Sequence, residues 1–101
     1  MHKLIALYKK PEDVEAFLKH YNEVHVPLVE KIPGLTSVTV NHCTGNPMGG
    51  EPKYFMIVEM AYPDAETFKT AMRSPENMAT GKDVMTFAKG LVTLVSAHDQ
   101  A

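Results

Sequence analysis

The period of the apolar residues changes along this chain, and each change marks an element. From Lys3 to Lys9, Leu4, Ala6 and Tyr8 alternate with Ile5 and Leu7. The period is two, which predicts a strand with both faces apolar. From Val14 to Leu28 the period becomes three and four: Val14, Phe17, Leu18, Tyr21, Val24, His25 and Leu28 form one stripe, while Lys19, Asn22 and Glu23 fall away from it. That is an amphipathic helix, opened by Pro11-Glu12-Asp13 with a proline and acids in its first turn. Pro27 has no N–H, and its ring meets the carbonyl one turn back. A kink or stop is therefore expected near His25, with a further turn through Lys31 until Pro33-Gly34 ends the segment.

Alternation returns from Leu35 to Cys43, with Thr36, Val38, Val40 and His42 on one face, and predicts a second strand. Thr44 to Pro52 is a turn-rich loop without the glycine spacing of a phosphate-binding motif. Lys53 to Tyr62 is a third strand, apolar on both faces except at Glu59. Asp64 is placed to cap a second helix with Phe68, Ala71 and Met72 on its buried side. Ser74-Pro75-Glu76 predicts a short helix to Thr80 that Gly81 stops. Asp83 then reads as the cap of a further turn carrying Val84, Met85 and Phe87, before a last strand from Leu91 to Ala97.

The order strand, helix, strand, strand, helix, strand is the ferredoxin-like plan. The expected fold class is α+β, a single domain over residues 1–101, with a four-stranded antiparallel sheet and both helices on one face. Strands one, three and four carry apolar residues on both sides. The second face needs a cover, and the expected cover is another copy of the chain, sheet against sheet. A standard interface of this kind hides about 800 Å² per partner.

Composition narrows the function. The chain has 101 residues and a net charge of −2 with no basic block, which argues against nucleic acid. No stretch reaches the length of a membrane span, and the run Leu4 to Tyr8 is too short for a signal-peptide core, so a cytoplasmic protein is expected. The one cysteine, Cys43, fits a reducing compartment and reads as a small hydrophobe. His20 and His25 are five apart, on different sides of an α-helix, and no metal spacing is present. Neither a metal nor a cofactor is expected.

The candidate chemistry lies at the end of the helical stripe. Phe17, Tyr21 and His25 are successive i, i+4 neighbours. An imidazole there can take a proton from a phenol or from carbon beside a carbonyl, and Tyr21 can donate to the developing oxyanion. The plain alternative is a histidine packed in the core. Glu59 reads either as a pocket acid with a raised pKa or as one half of a charge pair. His42 and Cys43 are adjacent on a strand and point to opposite faces, so they form no catalytic pair. His2 and His98 are expected to meet, on neighbouring first and last strands.

The pattern Phe17-x-x-His20-Tyr21-x-x-x-His25-x-Pro27-Leu28, followed by Ile32-Pro33-Gly34-Leu35, resembles the EthD family of the dimeric α/β-barrel superfamily. The resemblance continues through Glu59–Tyr62, Ser74-Pro75-Glu76 and Asp83–Phe87; His20 stands where relatives often carry an aromatic. It implies a sheet-to-sheet homodimer with a small-molecule pocket between each sheet and its helices. Family members are associated with ether degradation beside a haem monooxygenase system and are classed with oxidoreductases. Superfamily relatives include cofactor-free monooxygenases, polyketide cyclases and lactone isomerases. The expectation is a cofactor-independent oxidoreductase acting on a small apolar or aromatic compound. His25 and Tyr21 would be catalytic, and Phe17, Leu28, His42, Glu59, Met60 and Phe87 would line the pocket. The alternatives are a proton-transfer enzyme of the isomerase or cyclase kind, and a ligand-binding or accessory dimer without catalysis.

Overall fold

The computed structural model of the protein describes residues 1–100. Its elements are β1 (His2–Tyr8), α1 (Val14–His20), a π-helical turn (Tyr21–His25), α2 (Val26–Val29), β2 (Ser37–His42), β3 (Met56–Tyr62), α3 (Ala65–Met72), α4 (Pro75–Phe87) and β4 (Val92–His98). The strands form one sheet in the order β2-β3-β1-β4, antiparallel throughout. This is the ferredoxin-like α+β fold the patterning predicts. His2 and His98 stand opposite each other across β1 and β4, as expected, with ring centres 6.1 Å apart.

Register decides which face of each strand meets the helices. Ala6 pairs with Val58 and Tyr8 with Met56, and all four are almost fully buried with Phe17, Tyr21, Val29 and Ala71 of the helical layer. Alternation then puts Leu4, Val92 and Leu94 on this helix side and Lys3, Ile5, Leu7, Ile57, Glu59 and Val95 on the other. The open side is mixed. Ile5, Leu7 and Ile57 are half-buried and Val95 is 42% exposed. Lys3 Nζ lies 3.5 Å from Glu59 Oε1, and the Asn41 amide donates to Glu59 Oε2 at 3.3 Å.

Side chains cap each long helix. Asp13, Asp64 and Ser74 accept the backbone N–H groups of Ala16, Thr67 and Asn77 at 3.0, 2.8 and 3.1 Å. The chain leaves α2 through Gly34, at φ +79°; a Cβ there would collide with Thr67 Cγ2 of α3, so the close approach also requires glycine. One boundary departs from the patterning. Gly81 does not stop a helix: α4 runs unbroken from Pro75 to Phe87, and Asp83 lies inside it rather than at a cap. Glycine costs a helix interior only about 1 kcal/mol, and burial of Thr80 and Val84 on either side of it outweighs that. Among the described residues, no helix is long and apolar enough to cross a membrane.

Candidate functional site

The first helical segment does not end at Pro27 but widens ahead of it. Val26 donates its N–H to the carbonyl of Tyr21, five residues back, in place of the α-helical four. The added residue makes room for the proline ring against the preceding turn. It also changes which side chains share a side. In an α-helix His20 and His25 would diverge; across the π turn both reach one carboxylate. His20 Nε2 lies 2.8 Å from Asp83 Oδ1, and His25 Nδ1 lies 2.9 Å from Asp83 Oδ2. The expectation that these histidines sit on different sides of the helix is thereby corrected.

An ionised carboxylate only accepts hydrogen bonds, so Asp83 fixes the protons on both rings. His25 carries its hydrogen on Nδ1 and presents the lone pair of Nε2, and His20 donates from Nε2. His25 is 5% exposed. Burial pushes its imidazole below the usual range, and the Asp83 hydrogen bond and charge partly offset this. The result is a buried, oriented, neutral imidazole. Phe87 packs beside both rings, with its centre 4.7 Å from that of His20 and 5.0 Å from that of His25.

His25 lines a cavity of about 400 Å³ between the sheet and α4. Leu4, Ala6, Val92 and Leu94 supply its sheet wall, and Val84 and Gly81 belong to the helical wall. A Cβ at Gly81 would meet no atom within 4 Å, so the missing side chain is open space at the cavity. Tyr8 lines the same cavity. Burial first, then the charges of Tyr21 and Asp83, push its phenol well above the ordinary range, so it stays a hydrogen-bond donor. Thr80 and Asn77 also border the space, but Thr80 donates to the Asn77 carbonyl at 2.7 Å and the Asn77 amide to the Met72 carbonyl at 3.2 Å. No lysine, arginine, aspartate or glutamate is among the lining residues. The cavity suits an uncharged guest, within the size range usual for small-molecule sites.

The other sequence candidates lie elsewhere. Tyr21 is 2% exposed and belongs to the core, its ring 5.6 Å from that of His25, its phenol pushed up to about 12 by burial. Phe17 and Phe87 border a separate outer hollow of about 560 Å³ that also holds His20, Glu12, Asp13 and Lys89. Leu28 borders a shallow cleft with Pro75 and Ala79. His42 is exposed at the end of β2, the sheet edge farthest from the cavity. Glu59 is on the open side of the sheet, paired with Lys3. Met60 is buried in the core beside Leu4, its partner across β1 and β3.

The sequence pattern does not single out Tyr8, and it reads Asp83 only as a cap. Tyr8 shares a face with Leu4 and Ala6, which is visible in the pattern, but an equally apolar opposite face hides which side meets the helices. Asp83 is visible only once α4 is known to continue through Gly81. Among the described residues, no group of three or more histidine, cysteine, aspartate or glutamate side chains is arranged to hold a metal ion.

The same helical segments and sheet are found in known proteins. The chain is 30% identical over 103 residues to an uncharacterized 11.0 kDa protein from the thcB-thcC intergenic region of Rhodococcus erythropolis, covering 99% of this chain and 96% of that one. It is 48% identical to an EthD family protein of Bacillus halodurans, whose crystal structure superposes with a TM-score of 0.93 over 99% of each chain. SnoaB of Streptomyces nogalater, a cofactor-independent oxygenase, shares the fold at 11% identity, with a TM-score of 0.65 over 99% of this chain and 91% of the other. The sequence profile of the EthD domain matches residues 9–90, from the approach to α1 to the turn before β4. The segment that carries His20, His25 and Asp83 therefore falls within that match, and the chain belongs to the EthD family.

Proposed function

We propose that the protein is a cofactor-independent enzyme that removes a proton from a small, uncharged, apolar or aromatic compound bound between the sheet and α4. The observation that carries this reading is His25: buried, held at Nδ1 by Asp83, and lining a 400 Å³ apolar cavity. Its Nε2 takes the proton from a phenol or from carbon beside a carbonyl. The Tyr8 phenol donates to the oxygen on which charge develops. The apolar walls hold the guest in place. With dioxygen as oxidant the carbanion forms a C–O bond. A CH₂ group becomes C=O, one oxygen atom stays in the product and the other leaves as water. EthD membership and the shared fold of SnoaB support this oxygenase form.

The working unit in this reading is a homodimer. Half-buried Ile5, Leu7 and Ile57, with exposed Val95, supply the apolar part of the open sheet face, and sheet-to-sheet packing removes them from water. Sedimentation at micromolar concentration is expected to give a dimer.

A panel of hydroxylated aromatics and enolisable ketones tests the chemistry. At least one is expected to raise the melting temperature and, among the ketones, to exchange the carbon-bound hydrogen beside the carbonyl for solvent deuterium, with oxygen uptake marking the oxygenase form. Exchange that proceeds equally well in His25→Ala overturns the reading.

A further inference from the structure

The carboxylate that orients His25 is shared, and the second claimant lies in a different environment. His25 lines the apolar cavity under α4 with its side chain 6% exposed; His20 borders the outer hollow with its side chain 30% exposed. Asp83, at 11%, lies between them, one oxygen to each ring. A guest in the cavity would cover His25 and leave His20 in contact with solvent. The proposed function does not use His20, and the α-helical pattern gives no reason for it to meet Asp83.

We propose that His20 is a positioning residue for His25, which shares Asp83 so as to fix the nitrogen His25 offers to the cavity and takes up the proton that would otherwise inactivate it. The argument has two parts. First, the His20 bond occupies Oδ1 and leaves Oδ2 aimed at His25 Nδ1, so the carboxyl group cannot rotate away. Without His20, Asp83 is free to turn, and the His25 proton can move to Nε2, where the ring is no longer a base toward the cavity. Second, one negative charge serves two rings. When the solvent-facing ring is protonated, the cluster is neutral, and a second proton on His25 would place two cations around one anion. His20 therefore keeps the buried base free as the medium acidifies.

The groups facing His20 are consistent with an electrostatic role. Asp83 and Phe87 approach from α4, Lys89 from the turn after it, and Glu12 and Asp13 from the approach to α1. His25 and Tyr21 lie on its own segment. Asp83 is the one acid among them that bonds to the ring. Phe87 stacks on the ring at an interplanar angle of 28°.

This inference rests on the reading of His25 as the base, but it is tested without a substrate. Nitrogen-15 and carbon-13 NMR of the His25 imidazole, followed through a pH titration of the intact protein, reports both its tautomer and its midpoint. Two variants separate the two parts of the argument. His20→Phe keeps a ring against Phe87 but has no donor; His20→Gln keeps a donor that never becomes charged. His20→Gln, which keeps Asp83 in place, is expected to raise the His25 midpoint by on the order of one pH unit, a tenfold change in proton affinity. Only His20→Phe is expected to lose the predominance of the Nδ1–H form. A midpoint unmoved in His20→Gln, or a tautomer unmoved in His20→Phe, overturns the proposal. The proposed function can fail separately, through deuterium exchange that ignores His25, because the titration is read on ligand-free protein.

Discussion

The two helical regions that pack together over the sheet each contain a residue hostile to a helix, and they accommodate it differently. In the first, Pro27 removes a backbone donor, and the hydrogen-bond ladder shifts by one residue across Tyr21–His25. In the second, Gly81 removes a side chain, and the ladder of α4 continues. A missing donor has to be absorbed by the backbone, so it changes the direction of the side chains before it. A missing Cβ is absorbed by nothing, so it leaves room. The first region thereby turns His20 and His25 onto Asp83, and the second opens the wall of the cavity that His25 lines. Orientation comes from the proline side and space from the glycine side.

Removing the link between the two regions should have the largest effect. Asp83→Ala leaves two ring N–H groups without their acceptor, one of them buried. Bonds to a charged acceptor of this kind are worth about 1.5–3 kcal/mol, and urea unfolding is expected to show a loss of about 2–3 kcal/mol. A loss below about 0.5 kcal/mol would mean the two regions are held together by their apolar contacts alone.

Gly81→Ala probes the space. It is expected to stabilise α4 by about 0.5–1 kcal/mol, while the added methyl group narrows the cavity and weakens any guest. Calorimetry showing higher stability with unchanged ligand affinity would place the guest elsewhere. Pro27→Ala probes the orientation. The restored N–H lets the ladder close to the α-helical pattern, with a stability change within about 1 kcal/mol. NMR should then show His20 released from Asp83; a persistent bond would show that the π turn is fixed by packing rather than by the proline.

The subtlest effect is on the pH dependence of stability. Burial holds His25 in the folded protein below its ordinary value, while in the unfolded chain it titrates near 6.5, as an unperturbed imidazole does. As the pH falls through that value the unfolded state binds the proton first, so this group's contribution to stability is present above about 6.5 and is lost on acidification. His25→Gln is expected to flatten the slope of stability against pH just below 6.5; an unchanged slope would argue against a buried neutral ring.

Local pattern carried the sheet and the caps, since alternation and capping are properties of adjacent residues. The strand bounds from sequence fall within three residues of those observed, and Asp64 and Ser74 cap the helices their positions suggest. His25 was legible because it closes an apolar stripe just before a proline. The company it keeps was not. The response of the chain to Pro27 is a choice made by the tertiary structure, so the alignment of His20 with His25 has no signature in an α-helical reading. Gly81 taken as a stop made Asp83 a cap and concealed the carboxylate. Helical spacing places Tyr21 beside His25, whereas the sheet face that brings Tyr8 to the cavity is set by register across β3 and β4.

The position of β1 in the sheet has a consequence for how the protein assembles. Both its neighbours follow it at a long distance in the chain, β3 beginning at Met56 and β4 at Val92. Its ladder cannot close locally, and distant closures of this kind slow folding. Until β4 emerges, a segment greasy on both sides waits without its full complement of partners. Refolding is accordingly expected to be slower than that of a helical bundle of the same length and to lose yield as concentration rises.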